Sequence, residues 1–230
     1  MNSNKKTARI VGVLFITATA AGFISAVFLG PILAAPDYLA KVSANENSLL
    51  IGALAIFIMG FAGAGIAIPM YPILKKHNEG MALGSVGFRI IEGVLFSVSA
   101  IFLLLLVPLS QEFVQAGAPV ASYFQTLGEL SIMGLNFGMV IGGMAFSIAA
   151  LMYYYLFYQS KLIPRWLSVF GLFAVTLGLA SYLMEFFSAS AAATGVTPLH
   201  IPIFLQEMVF AVWLIVKGFN PSAIASESAK

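Results

Sequence analysis

The chain alternates between long apolar runs and short polar breaks. Apolar runs cover about residues 8–29, 49–74, 81–109, 131–158, 166–187 and 200–217. Polar breaks fall from Asp37 to Ser48, at Lys75-Lys76-His77-Asn78-Glu79, and at the tight turn Ser160-Lys161-Leu162-Ile163-Pro164-Arg165. A helix rises about 1.5 Å per residue and a hydrocarbon core is about 30 Å thick, so each run is long enough to cross it. Uninterrupted apolar runs predict helices, because a membrane strand alternates apolar and polar positions with period two. The expected fold is an all-α integral membrane protein. It is a compact bundle of six transmembrane helices, with residues 1–230 forming a single domain.

Charge orients this bundle. Lys5, Lys6 and Arg9 precede the first run, and Lys75 and Lys76 divide the second from the third. Lys161 and Arg165 divide the fourth from the fifth, and Lys217 and Lys230 follow the sixth. With Arg89 counted on the same side, ten of the eleven basic residues share one face, and Lys41 is the exception. Short basic loops stay on the cytoplasmic side, so both termini are expected there, in a multi-pass protein of a bacterial inner membrane. A cleaved signal peptide over residues 1–26 is the competing reading of the first run. The run continues to Leu29, and the charge pattern requires no cleavage.

Composition agrees with the pattern. Of the 230 residues, 60% are hydrophobic and 9% charged, and the mean hydropathy is +0.99. A soluble domain is about 25% charged, so a cytosolic enzyme and a disordered regulator are excluded. A net charge of +2 is too small and scattered for a nucleic-acid binder. Cysteine is absent, which removes disulfides, thiolate metal sites and cysteine nucleophiles. His77 and His200 are expected at opposite faces, which excludes a shared bis-histidine haem. No metal or other cofactor is expected.

The ionisable residues inside runs carry the candidate chemistry. Arg89 and Glu92 are three apart and share a helix face, with Ser85, Phe96 and Ser99 along the same stripe. Counting from Glu79 puts Arg89 about 15 Å deep and Glu92 about 20 Å deep; counting from Lys217 puts Glu207 about 15 Å deep. Arg89, Glu92 and Glu207 are therefore expected to meet near the midplane, with Gln206 beside them. A charge there costs at least about 2.5–3.5 kcal/mol, so it turns inward and pairs. One arginine beside two carboxylates leaves excess negative charge unless one Glu is protonated, which points to a proton site. The cluster reads either as a structural core, with Arg89 clamping both carboxylates, or as a proton- or ligand-handling site lined by Ser85, Arg89, Glu92, Gln206, Glu207 and Tyr71, with Glu207 titrating and Arg89 anchoring an anion.

Other features admit plainer readings. Gly134, Gly138 and Gly142 form one stripe suited to close helix packing, within the bundle or in a homodimer. Pro69 is expected to end or kink its helix, releasing the carbonyl of Gly65. Tyr153, Tyr154, Tyr155 and Tyr158 with Trp166 read as an interfacial aromatic belt. Tyr123, Phe124 and Leu127 suggest a short surface helix between the third and fourth spans. Glu129, Glu185 and His200, with Tyr123, Asn136 and Tyr182 at similar depth, form a second polar group at the outer face. Interfacial residues are the expected meaning, and a metal or hydrolytic site is the alternative.

Several stretches resemble one family. Gln206-Glu207-Met208 and Ala211-Val212-Trp213-Leu214-Ile215-Val216-Lys217-Gly218-Phe219-Asn220-Pro221 resemble the closing motif of the bacterial membrane family known as domain of unknown function 4386. Gly30-Pro31-Ile32-Leu33, Asp37-Tyr38-Leu39, Tyr71-Pro72-Ile73-Leu74-Lys75-Lys76-His77, Gly87-Phe88-Arg89-Ile90-Ile91-Glu92 and Leu162-Ile163-Pro164-Arg165-Trp166-Leu167-Ser168 are similar to the same family. The resemblance implies a multi-span helical protein and brings no activity with it.

The function expected from these residues is binding, with transport as its extension, of a small hydrophobic molecule or lipid at the midplane cluster. One alternative is an intramembrane enzyme acting on an isoprenoid, quinone or lipid, with Glu207 as general acid and Glu92 as the other candidate catalytic group. Another is a catalytically silent partner subunit, which the glycine stripe would serve. The lipid bilayer is the expected partner, with the protein a monomer or homodimer and no nucleic acid bound.

Overall fold

The computed structural model describes residues 3–116, 121–188 and 198–227. These form α1 (Ser3–Leu33), α2 (Tyr38–Ala44), α3 (Glu46–Leu74), α4 (Glu79–Ala116), α5 (Ala121–Ser160) and α6 (Arg165–Ser188). A 3-10 turn at Pro198–His200 leads into α7 (Ile201–Val216), and α8 (Pro221–Glu227) ends the described chain. Six of these helices, all but α2 and α8, are long and apolar enough to cross a membrane. Large apolar side chains such as Phe23, Phe61, Phe173 and Val216 cover the outside. In water that surface would be costly, whereas lipid solvates it.

The spans pack in a closed order: α1 on α3, α3 on α4, α4 on α5, α5 on α6, α6 on α7, and α7 back on α1. Small residues set the tightest approaches. A Cβ on Gly134 would strike the Phe102 ring, one on Gly142 the Phe96 ring, and one on Gly138 the Ser99 hydroxyl. The glycine stripe of α5 is therefore spent inside the chain, against α4. Gly12 of α1 does the same for α7, where a Cβ would stand 2.7 Å from the Ala211 carbonyl oxygen.

Two apolar cores stack along the bundle. One lies at the end carrying the termini and includes Ala8, Phe15, Ile66, Met70, Tyr154, Phe157, Phe210 and Leu214. The other includes Leu29, Val42, Leu49, Ile56, Phe96, Leu103 and Leu135, and is drawn from α1 to α5 alone. At the first end the short connections are tied together. The Asn220 amide donates to the Leu162 carbonyl at 2.8 Å, and its side-chain amide donates to the Lys161 carbonyl at 3.3 Å.

Several expectations are corrected. Helix α3 continues through Pro69 and Pro72 to Leu74, so Pro69 does not end it. The stretch expected as a surface helix is part of a span: Tyr123, Phe124 and Leu127 occupy the first turns of α5. There Phe124 packs edge-on against Phe113 of α4 at 6.2 Å. Helices α4 and α5 are 38 and 40 residues long, so both project beyond a hydrocarbon core. Tyr153 and Tyr154 are fully buried and belong to no belt, while Tyr155, Tyr158 and Trp166 do face outward. The reason is helical spacing, since Phe146, Ala150, Tyr153 and Phe157 fall on the inward stripe of α5.

Candidate functional site

The polar layer lies at the seam between the two cores. On α4, Arg89 and Glu92 fall between Ala82 of one core and Phe96 of the other. On α3 the seam is Gly60 and Gly63, between Ile56 and Ile66. On α1 it includes Thr19, between Phe15 and Leu29, while on α7 Glu207 reaches it from within the first core, between Ile203 and Phe210.

Arg89 is held from three directions. Its Nε donates to the Gly63 carbonyl across the α3–α4 interface at 3.0 Å. Its Nη1 donates to Glu92 Oε1 at 3.2 Å and lies 3.0 Å from Glu92 Oε2. Its guanidinium also faces the Phe146 ring of α5 at 5.1 Å. Both charged side chains are nearly inaccessible, at 2% for Arg89 and 4% for Glu92. Gly63 leaves the pair room, because a Cβ there would stand 3.3 Å from Nη2 and 3.4 Å from Glu92 Oε1 and would press on both side chains. Desolvating both charges is costly, and the pairing with a charge-assisted bond to a carbonyl offsets that cost.

Glu207 joins this layer by charge rather than by contact. Its carboxylate feels both Arg89 and Glu92, yet it forms no ion pair among the described residues. Thr19 of α1 stands beside it. The Thr19 hydroxyl is buried and is the Glu207 carboxylate's hydrogen-bonding neighbour, though in a geometry short of a well-formed bond. The Tyr153 hydroxyl is likewise buried, beside its hydrogen-bonding neighbour the Tyr154 hydroxyl and within the field of Arg89, Glu92 and Glu207. The Tyr154 hydroxyl itself donates to Gln206 Oε1 at 2.6 Å.

The other expected site residues separate into near and far. Gln206 is buried one position from Glu207, and its Nε2 donates to the Leu167 carbonyl at 3.3 Å, tying α7 to α6. Ser85 is buried one turn from Arg89, and its hydroxyl donates to the Ala82 carbonyl at 2.8 Å. Tyr71 stands apart at the end of α3, where its hydroxyl donates to Glu79 Oε1 at 3.2 Å and its ring lies under Lys75 Nζ at 5.5 Å. In the outer group, the Tyr182 and His200 rings meet at a tilt of 46° with centroids 4.6 Å apart, and the Tyr182 ring covers Gly143. The Ser181 hydroxyl donates to Glu185 at 2.8 Å, while Glu129 is exposed. Among the described residues no three His, Asp or Glu side chains converge to hold a metal ion.

Sequence reasoning missed Tyr153 and Thr19 as members of the layer. The inward spacing of Tyr153 with Phe146 and Ala150 was an available signal. Thr19 carries none, because a single threonine in an Ala- and Thr-rich helix has no distinguishing period.

Comparison with known proteins gives one match. The family described as "Domain of unknown function (DUF4386)" matches residues 10–218. No curated protein and no solved structure matches the chain.

Proposed function

We propose, on the premise that the chain belongs to the DUF4386 family, that it binds a small hydrophobic molecule or lipid whose polar group is held at the Arg89–Glu92–Glu207 layer. The observation that carries this reading is the unequal treatment of the two carboxylates. Glu92 is paired with Arg89 at 3.0 Å, whereas Glu207 shares the layer without an ion pair. An intramembrane carboxylate is costly, and one whose neighbour is the Thr19 hydroxyl rather than a cation is better explained by a ligand than by stability. The apolar surroundings supplied by Phe15, Phe146 and Phe210 suit a hydrophobic body attached to a polar head.

The orientation proposed puts both termini on the cytoplasmic side of a bacterial inner membrane, supported by the ten basic residues gathered at or toward that end. The partner-subunit reading loses its motive, since the glycine stripe of α5 is occupied by α4.

Native mass spectrometry of protein purified in mild detergent, beside a Glu207→Gln variant, tests the reading. The expected result is a discrete retained mass that the variant loses. An empty protein in both samples, or a mass retained equally by both, would overturn it.

A further inference from the structure

We infer that Glu207 carries an exchangeable proton, and that this proton comes and goes at the end away from the termini, past Glu185, His200 and Tyr182. As a regulation of the ligand site this rests on the binding reading above, while the proton itself can be read without a ligand. Around Glu207 stand Arg89 and Glu92 of α4, Thr19 of α1, Tyr153 and Tyr154 of α5 and Tyr182 of α6. Arg89 is the one fixed cation among them, and it is committed to Glu92, to the Gly63 carbonyl and to the Phe146 face. A bare carboxylate in hydrocarbon is costly, and one proton on Glu207 makes the layer neutral. A protonated Glu207 donates to a ligand's polar group, whereas an ionised one only accepts, so the proton sets which head group the layer holds.

Access to Glu207 is unequal from the two ends. Toward the termini it is sealed by Phe15, Phe157, Phe210 and Leu214, all fully buried. Phe15 and Phe157 each pack edge-on against Phe210, at 5.2 and 5.4 Å. Toward the other end the path is polar. His200, Ile203 and Glu207 are spaced by three and then four residues, so they share one helical face, with His200 about 10 Å from Glu207 along the axis. The His200 ring meets that of Tyr182 with centroids 4.6 Å apart. A Cβ on Gly143 would strike the Tyr182 ring from behind, so the ring is wedged between α5 and His200. Tyr182 lies at once in the field of Glu185 and in that of Glu92 and Glu207. A carboxylate, an imidazole and a phenol, each able to bind and release a proton, thus lead from that end to Glu207. Intramembrane series of Glu and His of this kind mark proton relays. The proton is taken from water at the Glu185 end and returned there, and Glu207 alone changes charge.

The surface at that end suits proton entry. Asp37, Glu46, Glu112, Glu129 and Glu185 lie there with Lys41, and an acidic mouth concentrates cations, protons among them.

The test reads the proton on Glu207 from each side, on the full-length protein in proteoliposomes whose two faces are buffered separately and whose orientation is scored by protease access to the C-terminal segment. Dicyclohexylcarbodiimide crosses the bilayer and couples to protonated carboxyl groups, so a short pulse reports the protonated fraction. Labelling of Glu207 should fall at least about tenfold when the face away from the termini is made alkaline, and change less than about twofold when the other face is. Tyr182→Phe, which keeps the ring on Gly143, and His200→Gln should each weaken that dependence at least about threefold. Labelling that follows the pH at the termini, or the pH at neither face, overturns the inference, as does a dependence unchanged in both variants. The parent's sidedness decides the matter by itself where a variant fails to fold. A retained mass that Glu207→Gln loses, with labelling indifferent to pH, overturns the proton and leaves the binding reading standing. Sided labelling in a protein that retains no mass overturns the binding reading and its regulation, and leaves the proton.

Discussion

Gly60 of α3 and Gly93 of α4 meet backbone to backbone. A Cβ on Gly93 would stand 2.9 Å from the Gly60 carbonyl oxygen, and one on Gly60 would stand 3.1 Å from the Gly93 carbonyl oxygen. This approach lies one turn from Arg89 and lets the guanidinium reach the Gly63 carbonyl on the facing helix. The glycine pair is thus a condition for the charged layer as well as a packing contact.

Substituting either glycine should separate the helices. Gly93→Ala is expected to destabilise by about 1–3 kcal/mol, as overpacking does. Gly87 lies on the same helix with open space around its Cβ position, so Gly87→Ala should be stabilising by about 0.4–1 kcal/mol. Thermal unfolding in detergent of the two variants side by side checks the contrast.

Arg89 and Glu92 should behave as a unit. Arg89→Met leaves Glu92 buried and uncompensated, a loss of about 3–5 kcal/mol. Adding Glu92→Met removes the orphaned charge and should recover part of that loss. A double-mutant cycle by equilibrium unfolding measures the coupling, and strict additivity would contradict the pairing.

The two adjacent tyrosines should respond differently to the loss of a hydroxyl. Tyr154→Phe strands Gln206 Oε1, which accepts its 2.6 Å bond, at an expected cost of about 1–3 kcal/mol. Tyr153→Phe removes an oxygen that makes no well-formed hydrogen bond, so stability should be unchanged or slightly improved. Unfolding of both variants under identical conditions reads the difference.

Much of this was legible in the sequence because the bilayer imposes simple rules. Apolar run length gave six spans, and depth counting placed Arg89, Glu92 and Glu207 in one layer. Where neighbours decide, the sequence was less informative. Pro69 reads as a stop, yet the helix runs through it to Leu74 because tertiary contacts hold both sides. The stretch containing Tyr123 reads as a connector, yet packing of Phe124 on Phe113 and of Tyr38 against the Gln125 carbonyl secures it as the start of α5. Tyr71 lies on a span with the expected polarity but belongs to the Glu79 end, which depth alone predicts poorly when the facing helix is unspecified. Tyr153 and Tyr154 are adjacent in sequence to Tyr155, and only their angular position separates core from surface.

The central claim is that the Glu207 carboxylate, in the charged layer with Arg89 and Glu92, can be reached by a small hydrophobic molecule. Labelling with dicyclohexylcarbodiimide, a neutral hydrophobic reagent that couples to carboxyl groups, tests this directly in native membranes, with the adducts located by peptide mass spectrometry. The account predicts modification at Glu207 and protection of Glu92, whose carboxylate is held by Arg89. Modification of Glu92 in preference to Glu207, or an unmodified Glu207 when the exposed Glu129 is labelled, would contradict it.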